Sequence, residues 1–250
     1  MPVFDIHSWL GGSIVPGMAQ NVEALTSAMQ DAGIDRAVIM SAHARLVDPL
    51  AGNRLAGAAV ERAPNLYACL VGHVNRPESS LNAMRELMPR RRFVALAVLG
   101  RSWHEPVSRA QADELLNAYR RYTKPIMVCA LDADGVHAAL DIARAYPMLR
   151  VVMLGMGGRD WRDAVRAAHT ATNIILETSG ALECPKLVSA VETIGAHRIV
   201  FGSWSPHTAA PAAIGMIEDA PISDDAKRRI FWDNAIRLFD LESPPASDEQ

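Results

Sequence analysis

Eight short, continuous apolar runs punctuate the chain, and each is followed by a longer stretch with helical periodicity. The runs are Val3–Ile6, Ala37–Met40, Leu66–Val71, Phe93–Leu99, Ile126–Cys129, Val151–Leu154, Ile174–Leu176 and Ile199–Phe201. Continuous rather than alternating apolar runs are the mark of parallel strands covered on both faces. Spread over 250 residues, eight units take about 31 residues each, the size of one βαβ step. Eight such steps close into a single (β/α)8 TIM-type barrel, which is the expected fold. The rival, an open doubly wound sheet, needs a Gly-rich phosphate loop after its first strand. Gly11-Gly12 follows the first run, but the G-x-G-x-x-G spacing is absent.

The helical stretches carry start and stop signals. Ser108 and Gln111 form a capping box, and Asp134 and Ser223 stand where caps are needed. Gly33, Pro64, Pro147 and Gly195 follow the ends. No linker or shift in composition divides residues 1–241, so one barrel domain is expected there. Residues 242–250 form a polar, Pro-rich tail expected to fray.

Composition narrows the function. Acidic residues number 28 and basic residues 25, a net charge of −3. That balance gives no electrostatic case for nucleic acid or for an anionic membrane surface. The longest apolar run, Phe93 to Leu99, is far short of the ~18 residues that cross a bilayer. Three cysteines, Cys69, Cys129 and Cys184, read as reduced thiols. With no signal-peptide pattern at the N-terminus, the expected setting is the cytoplasm.

Barrel chemistry sits at the C-terminal ends of the strands. Five of the eight histidines fall there: His7, His43, His73, His104 and His207. Three segments at these ends carry a resemblance. Phe4-Asp5-Ile6-His7-Ser8-Trp9 is similar to an opening D-x-H-x-H strand, and Val151 to Gly158 to a sixth-strand G-H-x-G-G segment. Ile199 to His207 is similar to an eighth-strand F-G-S-D-x-P-H segment, and Ile230 to Phe239, with its Asn234-Ala235 pair, to a closing helix. In these segments, taken in order at barrel spacing, the chain resembles the amidohydrolase superfamily. The similarity lies with the amidohydrolase-related branch of small-molecule hydrolases, lactonases and non-oxidative decarboxylases.

The resemblance implies one or two divalent metals held by two first-strand histidines, a fifth-strand and a sixth-strand histidine, and an eighth-strand aspartate. Here His7 is kept, but the other positions carry Trp9, Cys129, Gly155 and Trp204. Tryptophan and glycine side chains cannot ligate. The expectation is therefore no metal and no other cofactor, with Trp9 and Trp204 filling the former metal cavity near His7.

Without a metal, catalysis falls to groups at the strand ends. His7, His73, Glu177 and Cys129 are the catalytic candidates, as acid, base or nucleophile. Each has a plainer reading. His73, like His43 and His104, is a polar loop residue facing water on its own. His7 is a relic packed under Trp204, with Asp5 orienting it or tying the barrel floor. Cys129 is a small buried hydrophobe, and Glu177 is a salt-bridge partner of Arg101. Trp9, His43, Arg101, His104, Met156, Trp204 and His207 are the candidate substrate contacts. His43, His73 and His104 also mark a possible displaced metal or carboxylate site, and Gly157-Gly158 a possible anion cradle. Arg90-Arg91-Arg92 reads as a solvated face or an oligomer contact. Three functions stay open: a metal-independent small-molecule hydrolase or lyase, an inactive relative that binds a ligand or partners an active paralogue, and an orthodox metal hydrolase with misaligned ligands. The partners expected are a small molecule and further copies of the chain or of a paralogue.

Overall fold

The computed structural model describes residues 1–12, 17–100, 102, 105–180 and 183–242. In chain order the elements are β1 (Phe4–Leu10), α1 (Val22–Asp31), β2 (Arg36–Ser41), α2 (Ala42–Leu46), α3 (Pro49–Arg62), β3 (Leu66–His73), α4 (Pro77–Leu87) and β4 (Phe93–Leu99). There follow α5 (Arg109–Tyr119), β5 (Ile126–Cys129), α6 (Ala133–Ala145), β6 (Val151–Leu154), α7 (Trp161–Thr170), β7 (Ile174–Glu177) and α8 (Cys184–Ile194). The chain ends with β8 (Ile199–Val200), α9 (Ala210–Glu218), α10 (Asp224–Arg228) and α11 (Asn234–Leu238). The strands run parallel in the order β1 to β8. The last meets the first: Phe201 accepts from the Ile6 N–H at 3.0 Å, Trp204 donates to the His7 carbonyl at 2.8 Å, and Trp9 donates to the Ser205 carbonyl at 2.7 Å. Those bonds bring the sheet around into the (β/α)8 barrel that the strand rhythm implies.

All eight apolar runs are strands, and β1 is longer than its apolar run. Beyond Ile6 it continues through His7, Ser8 and Trp9, which belong to the strand rather than to the loop after it. A register shift against β2, with Asp5 opposite Ala37 and Ser8 opposite Ile39, marks a bulge. An extra residue reverses which side chains face inward. Phe4 and Ile6 face the interior before the bulge, and Trp9 does so after it.

Ser108 makes the full capping box and Ser223 caps α10. The cap of α6 is Asp132, whose carboxylate accepts from the Gly135 N–H; Asp134, the expected cap, lies inside the first turn. Two apolar layers result. One lies between strands and helices, built on residues such as Ile39, Leu70, Val98 and Met153. The other fills the barrel and is plugged below by Phe4, whose ring centroid is 5.8 Å from Trp232 and 5.9 Å from Phe239. Rings thus fill the barrel's lower end among the described residues. No helix among the described residues is long and apolar enough to cross a membrane. Residues 243–250 of the expected tail lie outside the described residues.

Candidate active site

The side of the mouth where β8 meets β1 is built on two buried carboxylates. Asp5, fully buried, takes the His7 and Ser203 backbone N–H groups on Oδ1 at 3.0 and 2.9 Å. Its Oδ2 takes the Ser8 and Ser203 hydroxyls, both at 2.6 Å. Asp5 thus ties β1 to the loop after β8. It holds the His7 backbone and does not orient the imidazole.

That task falls to Glu177 at the end of β7. The Glu177 carboxylate lies 3.4 Å from His7 Nδ1. It also accepts from the Gly155 N–H at 2.9 Å, the Ser179 N–H at 2.8 Å and the Ser179 hydroxyl at 2.8 Å. Gly202 leaves room for this contact, since a Cβ there would lie 1.9 Å from Glu177 Oε1 and 2.9 Å from His7 Cβ. Glu177 therefore pairs with His7 among the described residues; Arg101, the partner expected from sequence, lies outside them, as does His104.

His7 has both ring nitrogens engaged. The Trp9 indole N–H donates to Nε2 at 3.2 Å, so a neutral ring carries its proton on Nδ1, toward Glu177. Trp204 stacks on the same ring, with centroids 6.2 Å apart and planes at 24°. Both tryptophans pack on His7, and Trp204 does so with φ +59°, a conformation costly for a bulky residue.

The donor set does not fit a divalent ion. The imidazole nitrogen pointing away from Glu177 is covered by an indole. Gly155 has no side chain, its φ is +80°, and a Cβ there would meet Leu131 Cδ2 at 2.4 Å. Among the described residues no three His, Cys, Asp or Glu side chains are grouped to hold a metal. This applies also to His43 and His73. His73 is buried at the end of β3, and its Nδ1 accepts from the Asn75 N–H at 3.2 Å. His43 is half-buried on α2.

Beyond β1, after the neighbouring strand β2, lies a buried charge that sequence reading missed. Arg45, on α2, is only 7% exposed. Burial lowers its pKa, opposed by the field of Cys129. Cys129 is half-buried at the end of β5, and desolvation pushes its thiol up to about 12, against the pull of Arg45 and with smaller pushes from Glu177 and Asp132. His207, after β8, is held below the usual histidine range first by burial, then by His7 and Arg45. One guanidinium thus acts on groups from β5 and β8, two strands that are not neighbours of β2 or of each other. Its charge is thus felt at the ends of both strands. The only local signal was an arginine two residues past His43, without the periodicity that betrays burial.

Cys129 accordingly stays a thiol at neutral pH, which argues against a thiolate nucleophile. Met156, expected to touch substrate, is fully buried in the layer between strands and helices. Gly157 and Gly158 do not offer free amides: their N–H groups go to the Ala130 and Gly155 carbonyls, both at 2.8 Å. His207 does line the mouth, its ring 5.4 Å from that of Trp204.

Comparison with known proteins adds the following. The amidohydrolase family model matches residues 4–241. Over 116 residues the chain is 30% identical to a gamma-resorcylate decarboxylase of Polaromonas sp., covering 38% of this chain and 36% of that protein. The chain thus spans about a third of the length of that curated relative. Its backbone matches 2,6-dihydroxybenzoate decarboxylase from Rhizobium with a TM-score of 0.77 at 15% identity, covering 96% of this chain and 98% of that one. It matches a dihydroxybenzoic acid decarboxylase from Polaromonas sp., solved with bound manganese and the inhibitor 2-nitroresorcinol, at 0.79 and 17%, covering 97% and 98%. It matches 5-carboxyvanillate decarboxylase from Sphingomonas paucimobilis at 0.76 and 12%, covering 96% and 99%. Identities this low establish a shared fold and nothing finer.

Proposed function

The chain belongs to the amidohydrolase family, and from that premise we propose that it is a metal-independent lyase that removes the carboxyl group of a small aromatic acid. The observation that carries this reading is the buried charge of Arg45, felt by Cys129 after β5 and His207 after β8. A guanidinium shielded from water is suited to anchor a carboxylate, and the half-buried Trp204 ring, backed by His7, offers a planar substrate a face to stack on. The relatives named above act on ring-hydroxylated benzoates, which is the substrate class this ring and charge would accept.

The proton chemistry we assign uses two groups at the strand ends. Cys129, which stays protonated at neutral pH, would serve as proton donor and not as nucleophile. It would give its proton to the ring carbon that bears the carboxylate. The bond between that carbon and the carboxyl carbon then breaks, and carbon dioxide leaves. The thiolate left behind is stabilised by Arg45 until solvent returns a proton. His207, kept neutral, would accept a ring hydroxyl proton during the same step and return it afterwards. No step passes through a metal, because the donors at the implied positions are absent.

The test is carbon dioxide release from a panel of hydroxybenzoates by chelator-treated protein, with the product ring analysed after reaction in heavy water. Turnover with one deuterium at the former carboxyl position is expected, lost by about 10²-fold or more in Arg45→Met and Cys129→Ser. Turnover that needs added manganese or zinc would overturn the metal-independent reading. Saturable binding of hydroxybenzoates without turnover would favour a second reading, a ligand-binding relative. That reading has its own support in the full engagement of His7 and Glu177.

A further inference from the structure

The end of the barrel opposite the mouth holds a groove of about 780 Å³ whose lining includes Arg91, Lys124, Arg150 and Arg237, with Asp240 and Glu242 on one short strap. From this arrangement we infer that the groove binds a small polyanion of the phosphate-ester or pyrophosphate class, a site separate from the mouth. The four cations arrive from separate stretches: Arg91, Lys124 and Arg150 just before β4, β5 and β6, and Arg237 from α11. Four positive charges face two carboxylates, in a chain whose overall charge is −3.

A structural role does not use these groups up. Lys124 Nζ donates to the Met88 and Phe93 carbonyls at 3.0 and 2.5 Å. Arg150 Nη1 donates to the Arg237 carbonyl at 3.2 Å, and Arg237 donates to Asn234 Oδ1. Each guanidinium has five donors, so most remain available to an anion. Burial costs two of the four: Lys124 and Arg150 are both held below their usual ranges by desolvation, a penalty that an anion in the groove would offset. The strap stands in part of that place. Glu242 lies 3.6 Å from Arg91, and the field of Asp240 acts on Arg150. A dianionic ligand would meet the same two arginines.

Titration calorimetry with sodium pyrophosphate, at ionic strength fixed with chloride, tests this on the whole protein. One saturable site per chain is expected. Arg91→Gln with Arg237→Gln, both exposed side chains, should weaken it at least tenfold. Asp240→Asn with Glu242→Gln should tighten it several-fold, and this second pair decides the matter alone if the first does not fold. Absence of saturable heat, or equal affinity in all three proteins, overturns the site. Binding of a uridine oligonucleotide but not of pyrophosphate overturns the small-molecule assignment. None of these readouts depends on turnover at the mouth.

Discussion

On the β1–β8 side of the mouth, Asp5 accepts four hydrogen bonds, Glu177 accepts three besides its contact with His7, and His7 is engaged at both nitrogens. Elsewhere at the mouth, Arg45 after β2 and Cys129 at the end of β5 are coupled by charge and shifted by burial. The first arrangement satisfies buried polar groups within the protein and so stabilises a closed barrel. The second holds a cation and a thiol whose pKa values burial shifts, a condition that recurs at functional sites. Under the proposed function, the first group of residues acts as joinery and the second carries the chemistry.

The largest expected effect lies in the joinery. Asp5→Ala leaves four buried donors without their acceptor, and each such group costs about 1–3 kcal/mol. A loss on the order of 4 kcal/mol or more should appear in urea unfolding. A loss under about 1 kcal/mol would show that the seam is held by packing alone. Glu177→Gln comes next. The amide keeps the shape but presents a donor where Gly155 and Ser179 also donate, so about 1–3 kcal/mol should be lost. Carbon dioxide release, where measurable, should fall only a few-fold. A fall of 10² or more at unchanged stability would move Glu177 to the catalytic side and break the comparison.

A smaller effect is expected at alkaline pH. The Cys129 thiol is pushed up to about 12 by desolvation, and that of buried Cys69 is raised by the same cause. An unfolded chain releases these protons first, near pH 8.5. Above that pH the folded state holds more protons, so stability falls as pH rises. Each thiol contributes a slope of about 1.4 kcal/mol per pH unit until its folded pKa is reached. Cys129→Ser should flatten the alkaline limb by one such slope in urea melts between pH 9 and 11. An unchanged limb would mean that Cys129 is reached by water.

The barrel itself was legible because parallel strands buried on both faces need continuous apolar runs, and Phe93–Leu99, Ile126–Cys129 and Val151–Leu154 are strands with those same bounds. The departure of Trp9, Gly155 and Trp204 from the family's ligand types was readable directly from their side chains. The arrangement of the mouth was not legible. The bulge in β1 changes which residues face inward, and no local pattern announces it. Arg45 lies on a five-residue helix too short to show periodicity. Its partners are separated from it by many residues and are joined only when β2, β5 and β8 face one opening. Ser179 and Ser203, which satisfy the two carboxylates, are small polar residues that sequence gives no reason to single out.

The finest test of the comparison is whether Arg45 acts on the end of β8 through its charge. His207 is held below the usual histidine range by burial first, then by His7 and Arg45. Since the unfolded chain takes up that proton at a higher pH than the folded one, His207 contributes stability near neutrality that is lost as pH falls below about 6.5. Arg45→Met keeps much of the side-chain bulk and removes only the cation. The His207 titration, followed by its ring proton resonances, should then move upward by a fraction of a unit while remaining below 6.5, because burial stays in place. The acid limb of stability should grow shallower in step. A titration that does not move would mean the guanidinium does not act on the end of β8. The charge assigned there would have to come from elsewhere, and with it the anchor for an anionic substrate.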